Sequence, residues 1–141
     1  MLRLSNKTEY AIMAVRYIAM KKDGSSSTAR EISESYAIPY DFVSKVLQRL
    51  SRRKIINSLQ GIKGGYSLSR KPEEISLIEV IEAIEPTRLT KCAPEMMPSG
   101  KEKVSKDNCS HIDRCKIRDP LAKVQIEVDK VFRNTKISHI L

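Results

Sequence analysis

Apolar residues recur along the first part of the chain with a helical period. Ala11, Ala14, Val15 and Ile18 stand at i, i+3, i+4 and i+7, which gives residues 7–21 one apolar stripe. Asp23-Gly24-Ser25-Ser26-Ser27 breaks that stripe and reads as a loop. Thr28 with Glu31 is a capping-box pattern that opens a second, short helix through Tyr36. Ala37-Ile38-Pro39 makes a turn, and Pro39 suits the start of a third helix because its missing N–H leaves no helical bond unmade. That helix runs to about Arg53. Val43, Val46, Leu47 and Leu50 form its inner face, and Tyr40, Ser44, Lys45, Gln48, Arg49 and Arg52 its outer face.

The period then shortens. Ile55 to Leu59 and Tyr66 to Ser69 read as two short strands around Gln60-Gly61-Ile62-Lys63-Gly64-Gly65, a glycine-rich hairpin tip. Ser76 with Glu79 is a second capping box. It opens a helix through Glu85 with Leu77, Val80, Ile81 and Ile84 inward, and Pro86 ends it. Residues 87–116 are polar, hold Pro94, Pro98 and Gly100, and lack any period, so they read as a long loop of the kind that is functional or disordered. Asp119-Pro120 starts a final long helix with Leu121, Val124, Val128 and Val131 as its apolar seam. The chain shows no internal repeat and no low-complexity tract.

This order of elements predicts a mainly α protein. A winged helix-turn-helix with a small β-hairpin wing precedes a long C-terminal helix with an apolar seam. The expected boundaries are 1–86 for the DNA-binding domain, 87–118 for the loop, and 119–141 for the last helix and tail. With 141 residues, no Trp and 5% aromatic residues, the core must be built from Ile, Leu, Val, Ala and Met. No apolar run approaches a membrane span, and Met1 to Ser5 have no apolar signal-peptide core, so a cytoplasmic protein without a membrane partner is expected.

Charge sharpens the picture. Residues 1–70 carry 13 Lys+Arg against 5 Asp+Glu, a net +8, whereas residues 71–141 carry 13 against 12, a net +1. A basic half joined to a neutral half is the footprint of polyanion binding by the first half, set against a merely solvated basic surface. In a winged module the helix after the turn enters the major groove. Tyr40, Ser44, Lys45, Gln48, Arg49 and Arg52 are therefore the expected contacts to duplex DNA, with Gln60 and Lys63 at the hairpin tip over the adjacent minor groove or the backbone.

The cysteines carry a second chemistry. Cys92, Cys109 and Cys115 are the only three, and all fall in the loop. An odd count in a reducing compartment argues against a disulfide framework. Thiolates gathered on a loop suit a soft metal or an iron–sulfur cluster. Zinc held by three cysteines and His111, and three free thiols on a mobile loop, are the other readings. A cluster takes four ligands, so a fourth must come from elsewhere. Glu9 and His111 are the candidates, ahead of Asp107, Asp113 and His139.

Several stretches resemble one family, the IscR-like and NsrR-like (Rrf-two type) winged helix-turn-helix regulators. They are Leu4-Ser5 through Thr8-Glu9-Tyr10-Ala11, Ile38-Pro39 through Leu47-Gln48-Arg49-Leu50, Gly61-Ile62-Lys63-Gly64-Gly65-Tyr66-Ser67-Leu68, and Ile78-Glu79-Val80-Ile81-Glu82-Ala83-Ile84-Glu85. The resemblance runs on through the cysteine loop to the last helix. It implies a homodimeric transcription regulator that senses redox, iron or nitric oxide status, with the long C-terminal helix as dimer interface and an iron–sulfur cluster in the loop. Residues 110–114 separate Cys109 from Cys115, as in cluster-binding members, and Cys92 falls where the family's first loop cysteine falls.

The departure lies between Cys92 and Cys109. Residues 93–108 make a wider gap than in the best-known cluster binders. That gap favours a 2Fe–2S cluster slightly over 4Fe–4S, because one cysteine can then drop out of the ligand set. Some members use an acidic residue of the first helix, reaching across the dimer, as fourth ligand, and Glu9 matches that place. On its own chemistry Glu9 is an acid in a first helical turn, where it complements the dipole. Members that use a histidine have it after the last cysteine, where this chain has Lys116-Ile117-Arg118, so His111 is the alternative ligand. Two other classes remain: a cluster-free thiol-switch regulator, and a small basic metal or redox protein that binds RNA or another partner. Catalysis is not expected, since the chain offers no Ser/His/Asp set, no phosphate loop and only two histidines.

Overall fold

The computed structural model describes residues 3–21, 24–86, 88–89, 95–96, 102–103, 111 and 113–141. They fall into two compact units, one of residues 3–86 with 132–141 and one of residues 87–131.

The first unit holds helices α1 (Asn6–Ala19), α2 (Ala29–Tyr36), α3 (Tyr40–Arg52) and α4 (Leu77–Ile84), with strands β1 (Ile56–Leu59) and β2 (Gly65–Leu68) between α3 and α4. Ser5 caps α1 by accepting from the Thr8 N–H at 3.3 Å. Thr28 and Glu31 form the expected capping box, each accepting from the other's N–H at 3.1 Å. Its partner at α4 is built differently. Both the N–H and the hydroxyl of Ser76 donate to Glu79, at 2.8 and 2.7 Å. Burial pushes the Glu79 carboxyl up, but those bonds and Arg70, 2.8 Å away, outweigh it and leave the pKa below its ordinary value.

The α2–α3 turn is tightly built. Ala37 adopts a left-handed conformation with φ 52°, Ile38 N–H donates to the Ser33 carbonyl at 3.1 Å, and the Ser33 hydroxyl donates to the Ile38 carbonyl at 2.6 Å. Pro39 occupies the N-cap of α3, one residue ahead of the helix proper. The inner stripes of α1 and α3 are buried as the periodicity predicts, and Ile32, Ile56, Ile75, Ile78 and Ile81 join them in an aliphatic core.

β1 and β2 pair antiparallel, with Ile56 opposite Leu68 and Leu59 opposite Gly65. Ser27 extends this sheet by exchanging two backbone bonds with Tyr66, at 2.9 and 2.8 Å. The chain's C-terminal end closes the unit. Ile137, fully buried, opens a short 3-10 turn (Ile137–Ile140) whose first N–H donates to Ile75 at 2.9 Å, and Arg16 Nε donates to the Ile140 carbonyl at 2.7 Å.

Three helices meet where α4 ends. Glu85 accepts from the Thr8 hydroxyl at 2.6 Å and from the Ser5 N–H at 3.2 Å, which ties α4 to the start of α1. Arg49 of α3 donates to the Ile84 carbonyl at 3.0 Å. Hydrogen bonds from Ser5 and then Thr8, helped by the charge of Lys7, hold the Glu85 carboxyl below its ordinary value.

The second unit contains the remaining elements. Strands β3 (Glu95–Met96) and β4 (Glu102–Lys103) pair antiparallel, and α5 (Arg118–Asn134) runs from this unit into the residues that rejoin the first. α5 begins at Arg118, two residues before Pro120, the expected first helical position. Among the described residues no helix is long and apolar enough to cross a membrane.

Ala37→Gly removes a Cβ from the left-handed region, and after the extra chain entropy of glycine it should stabilise the fold by about 0.5 kcal/mol, read as a higher urea midpoint. A carboxyl with a lowered folded pKa adds stability above its unfolded value, near 4.5, which is lost as pH falls through the folded value. Thermal melts of Glu85→Gln should therefore fall less steeply with acidification below about pH 4.5 than those of the wild type, and start lower at pH 7. Parallel acid profiles for the two proteins would refute this role.

Candidate nucleic-acid interface and cysteine loop

The inner side of α3 is consumed by the core, so its outer side is fixed in direction. Tyr40, Lys45, Gln48, Arg49 and Arg52 are exposed there, and Ser44 is half-buried. Six residues drawn from sequence thus share one face, but they are not equivalent. Arg49 is anchored to the end of α4, whereas Gln48 stands beside it on the open surface.

Phe42, also exposed on α3, packs edge-on against Tyr10 with ring centroids 6.5 Å apart. Lys7, Phe42, Lys45, Val46, Arg49 and Ile84 line a hollow of about 120 Å³. Lys7 and Phe42 were not among the expected contacts. The signal for Lys7 was its place two residues after the Ser5 cap, within the first turn of α1, and for Phe42 an apolar residue at a position the α3 stripe leaves outside.

The wing places Gln60 and Lys63 on the surface at its tip. Its turn is made by Gly64 N–H donating to the Gly61 carbonyl at 2.9 Å, and Ser26 Oγ donates to the carbonyls of Lys63 and Gly64 at 2.8 and 3.3 Å. A Cβ on Gly64 would lie 2.7 Å from the Gly61 oxygen and 2.8 Å from that of Leu59, so only glycine closes this tip. A larger hollow of about 450 Å³ lies beside the wing's far end, but Lys21 and Arg70 on its wall already face Glu31 and Glu79.

Of the ligand candidates, Cys92, Cys109 and Asp107 lie outside the described residues. Cys115 is a half-buried free thiol just before α5, and His111 and Asp113 are exposed. Glu9 is exposed in the first turn of α1. The His139 Nδ1 accepts from the Lys136 N–H at 3.2 Å, which occupies one of its two ligating nitrogens. Among the described residues no three His, Cys, Asp or Glu side chains form a metal-binding group.

α5 is amphipathic in an unusual sense. Its buried positions are polar: Gln125 and Asp129, joined by a 2.7 Å bond, with the Gln125 carbonyl also accepting from the Leu89 N–H at 2.7 Å. Its apolar positions are open. Leu121 and Val128 are half-buried, while Val124 and Val131 are 48% and 64% exposed. Ile117, 64% exposed, continues the same seam one turn earlier. Sequence reasoning missed it because it precedes the presumed cap.

Comparison with known proteins gives this geometry a lineage. An HTH-type transcriptional regulator of Synechocystis sp. is 32% identical over 84 residues, which is 60% of this chain and 57% of that one. The matched stretch spans a little over half the length of the curated relatives. The fold of CymR (YrzC), the global cysteine regulator of B. subtilis, superposes with a TM-score of 0.72 at 18% identity over 99% of this chain and 96% of that one. IscR of T. potens superposes with a TM-score of 0.70 at 19% identity over 99% and 85%. The structural likenesses show the fold. A family model described as Rrf2, iron-dependent transcriptional regulator, matches residues 4–141, and the chain belongs to that family.

Proposed function

We propose that this protein is a homodimeric, cytoplasmic transcription regulator that binds duplex DNA through α3 and the wing, and that reads redox, iron or nitric oxide status through an iron–sulfur cluster. The observation that carries the DNA-binding part is the exposed polar face of α3, held rigid by a fully buried inner face. Residues 1–86 act as the DNA-binding module, 87–118 as the cysteine loop, and 119–141 as the dimerisation helix and tail.

The open seam of α5, Ile117, Leu121, Val124 and Val128 with Val131, suits a second copy of the same helix. Spacings of four and three residues keep such a seam on one side of a helix. A dimer presents two α3 helices to two half-sites.

The donor set fits the cluster. Three thiolates with one carboxylate or imidazole match the softness of iron in such centres, and the half-buried Cys115 is open to a metal. Cys92, Cys109 and Cys115 would hold it, with Glu9, or else His111, in the fourth place, and a 2Fe–2S form is favoured. The cluster supplies a redox- and gas-sensitive centre, and an oxygen ligand makes it easier to oxidise or lose. The chain's own part is transmission. The loop follows Pro86 directly, and Ile84 and Glu85 are bonded to α3 and α1. Tension at that end of α4 is felt by the recognition helix through Arg49. A thiol switch without a cluster is the second reading, carried by Cys115 as a free, partly accessible thiol.

Two experiments test these readings. On a duplex selected by the wild type, Gln48→Ala should cost about 1–3 kcal/mol and relax the choice of base, while Lys63→Ala should weaken all duplexes alike and lower the salt slope by about one. Unchanged selectivity in Gln48→Ala removes α3 from its role. Each Cys→Ala change should sharply reduce iron and sulfide in anaerobically purified protein. Glu9→Ala should leave a labile, spectrally altered cluster, Glu9→Cys should keep it at a lower potential, and His111→Ala should be nearly silent. The reverse pattern moves the fourth place to His111. A colourless protein with metal bound indicates zinc, and one without metal whose DNA affinity follows thiol oxidation indicates the thiol switch.

A further inference from the structure

Most large apolar side chains exposed on this molecule have some company. Phe42 lies against Tyr10, Leu59 belongs to a paired strand, and Ile117, Val124 and Val131 share the α5 seam. Ile62 differs. It is 108% exposed at the tip of the wing, more than in an isolated reference residue, and the fold gains nothing from it. Turn positions ordinarily go to Asn, Asp, Ser, Gly or Pro, which make the turn with their own backbone or side-chain bonds. An isoleucine there works against local preference.

The backbone beneath Ile62 is built to present it. Gly61 has φ 106° and Gly65 φ 147°, conformations that favour glycine. The turn is closed from Gly64 to Gly61 and strapped from below by the Ser26 hydroxyl on the Lys63 and Gly64 carbonyls. A Cβ on Gly65 would lie 2.7 Å from the Ser27 oxygen, so the root of the wing is pressed against the strand-like segment beside it. Ile62 is thus the point of a short, braced hairpin, which reaches about 13 Å along its four-residue strands.

Its flanks say what it meets. Gln60 and Lys63 are exposed on either side, on a module whose first 70 residues carry a net +8. A lipid surface or an apolar protein site takes a patch of several apolar side chains, and Ile62 stands alone among polar ones. The minor groove fits better. It is about 6 Å wide, too narrow for a helix but open to one side chain, and its negative potential attracts a neighbouring lysine. Single aliphatic side chains inserted there unstack a base step and kink the duplex.

We propose that Ile62 is an apolar wedge inserted from the minor groove at a deformable pyrimidine–purine step flanking the α3 contacts, so that this chain bends the DNA it selects. The proposal rests on the DNA-binding reading above, and adds to it a specificity determinant that makes no hydrogen bond to a base. Lys63 holds the adjacent backbone, and the step's ease of unstacking sets the preference.

The test uses full-length protein and a duplex recovered from a random-sequence pool by the wild type. The duplex is end-labelled for a fluorescence-transfer bend and carries 2-aminopurine at the step under the wing. Wild type should shorten the end-to-end distance and raise the 2-aminopurine signal. Ile62→Ser should lose both, bind roughly tenfold more weakly as the buried aliphatic group is lost, and keep the wild-type salt slope, because no charge is removed. Ile62→Leu should retain the bend. Replacing the step with a stiff A-tract should penalise wild type but not Ile62→Ser. If wild type selects a duplex and Ile62→Ser binds and bends it equally, the wedge is wrong while the DNA-binding reading stands. Weaker binding with an unchanged bend and 2-aminopurine signal also overturns it, leaving Ile62 a surface contact. A wild type that enriches no duplex overturns both.

Discussion

The pair Ile84–Glu85 is the joint on which the DNA-binding unit depends. Helix α4 is short, and its last carbonyls have no partner within the helix. Arg49 takes one of them, at Ile84, with a charged donor. The next residue sends its carboxylate back to Ser5 and Thr8 at the opening of α1. The end of α4, the start of α1 and the last turn of α3 are thereby fixed by three charge-assisted bonds. Interdigitated aliphatic side chains hold α3 in the core. The polar joint adds directional bonds to that packing.

The second constraint is the inversion of α5. A helix that buries Gln125 and Asp129 while showing Val124 and Val131 to water breaks the usual sorting of side chains. Each half has its own logic. The buried amide and carboxylate are tolerated because they bond to each other and to the Leu89 backbone. In the proposed dimer, a second helix covers the outward seam. One element therefore carries two faces: a polar one that fastens the start of the loop, and an apolar one that the proposed dimer would cover.

Much of this was legible in the sequence, for identifiable reasons. Capping boxes at Thr28 and Ser76, stripes at Ala11–Ile18 and Val43–Leu50, and glycines between two short strands are local signals, and the helices and wing form where those signals lie. What escaped was set by tertiary geometry. Nothing periodic marks Arg49 as bonded inward. Ile137 is buried in the first unit, and its N–H donates to the carbonyl of Ile75, a pairing of residues far apart in the chain that no local pattern encodes. Ile117 precedes the Asp119-Pro120 start signal, and the full exposure of Ile62 at a turn tip has no periodic signature. Cys92 and Cys109, the plainest signal in the chain, lie outside the described residues.

Within the DNA-binding reading, the joint also divides labour on the recognition helix. Arginine has five N–H donors in a rigid plane. With one nitrogen committed to Ile84, the guanidinium of Arg49 is held close to the body of the unit, and its remaining donors suit a phosphate at the groove's edge better than a base at its floor. Gln48, adjacent and exposed, is not tied in this way, and a carboxamide matches the paired donor and acceptor of adenine. Arg49 then fixes depth and register, Gln48 reads, and the wing adds what the shape of the duplex allows. A disturbance at the end of α4 would act first on depth, weakening every site together before it altered the choice among them.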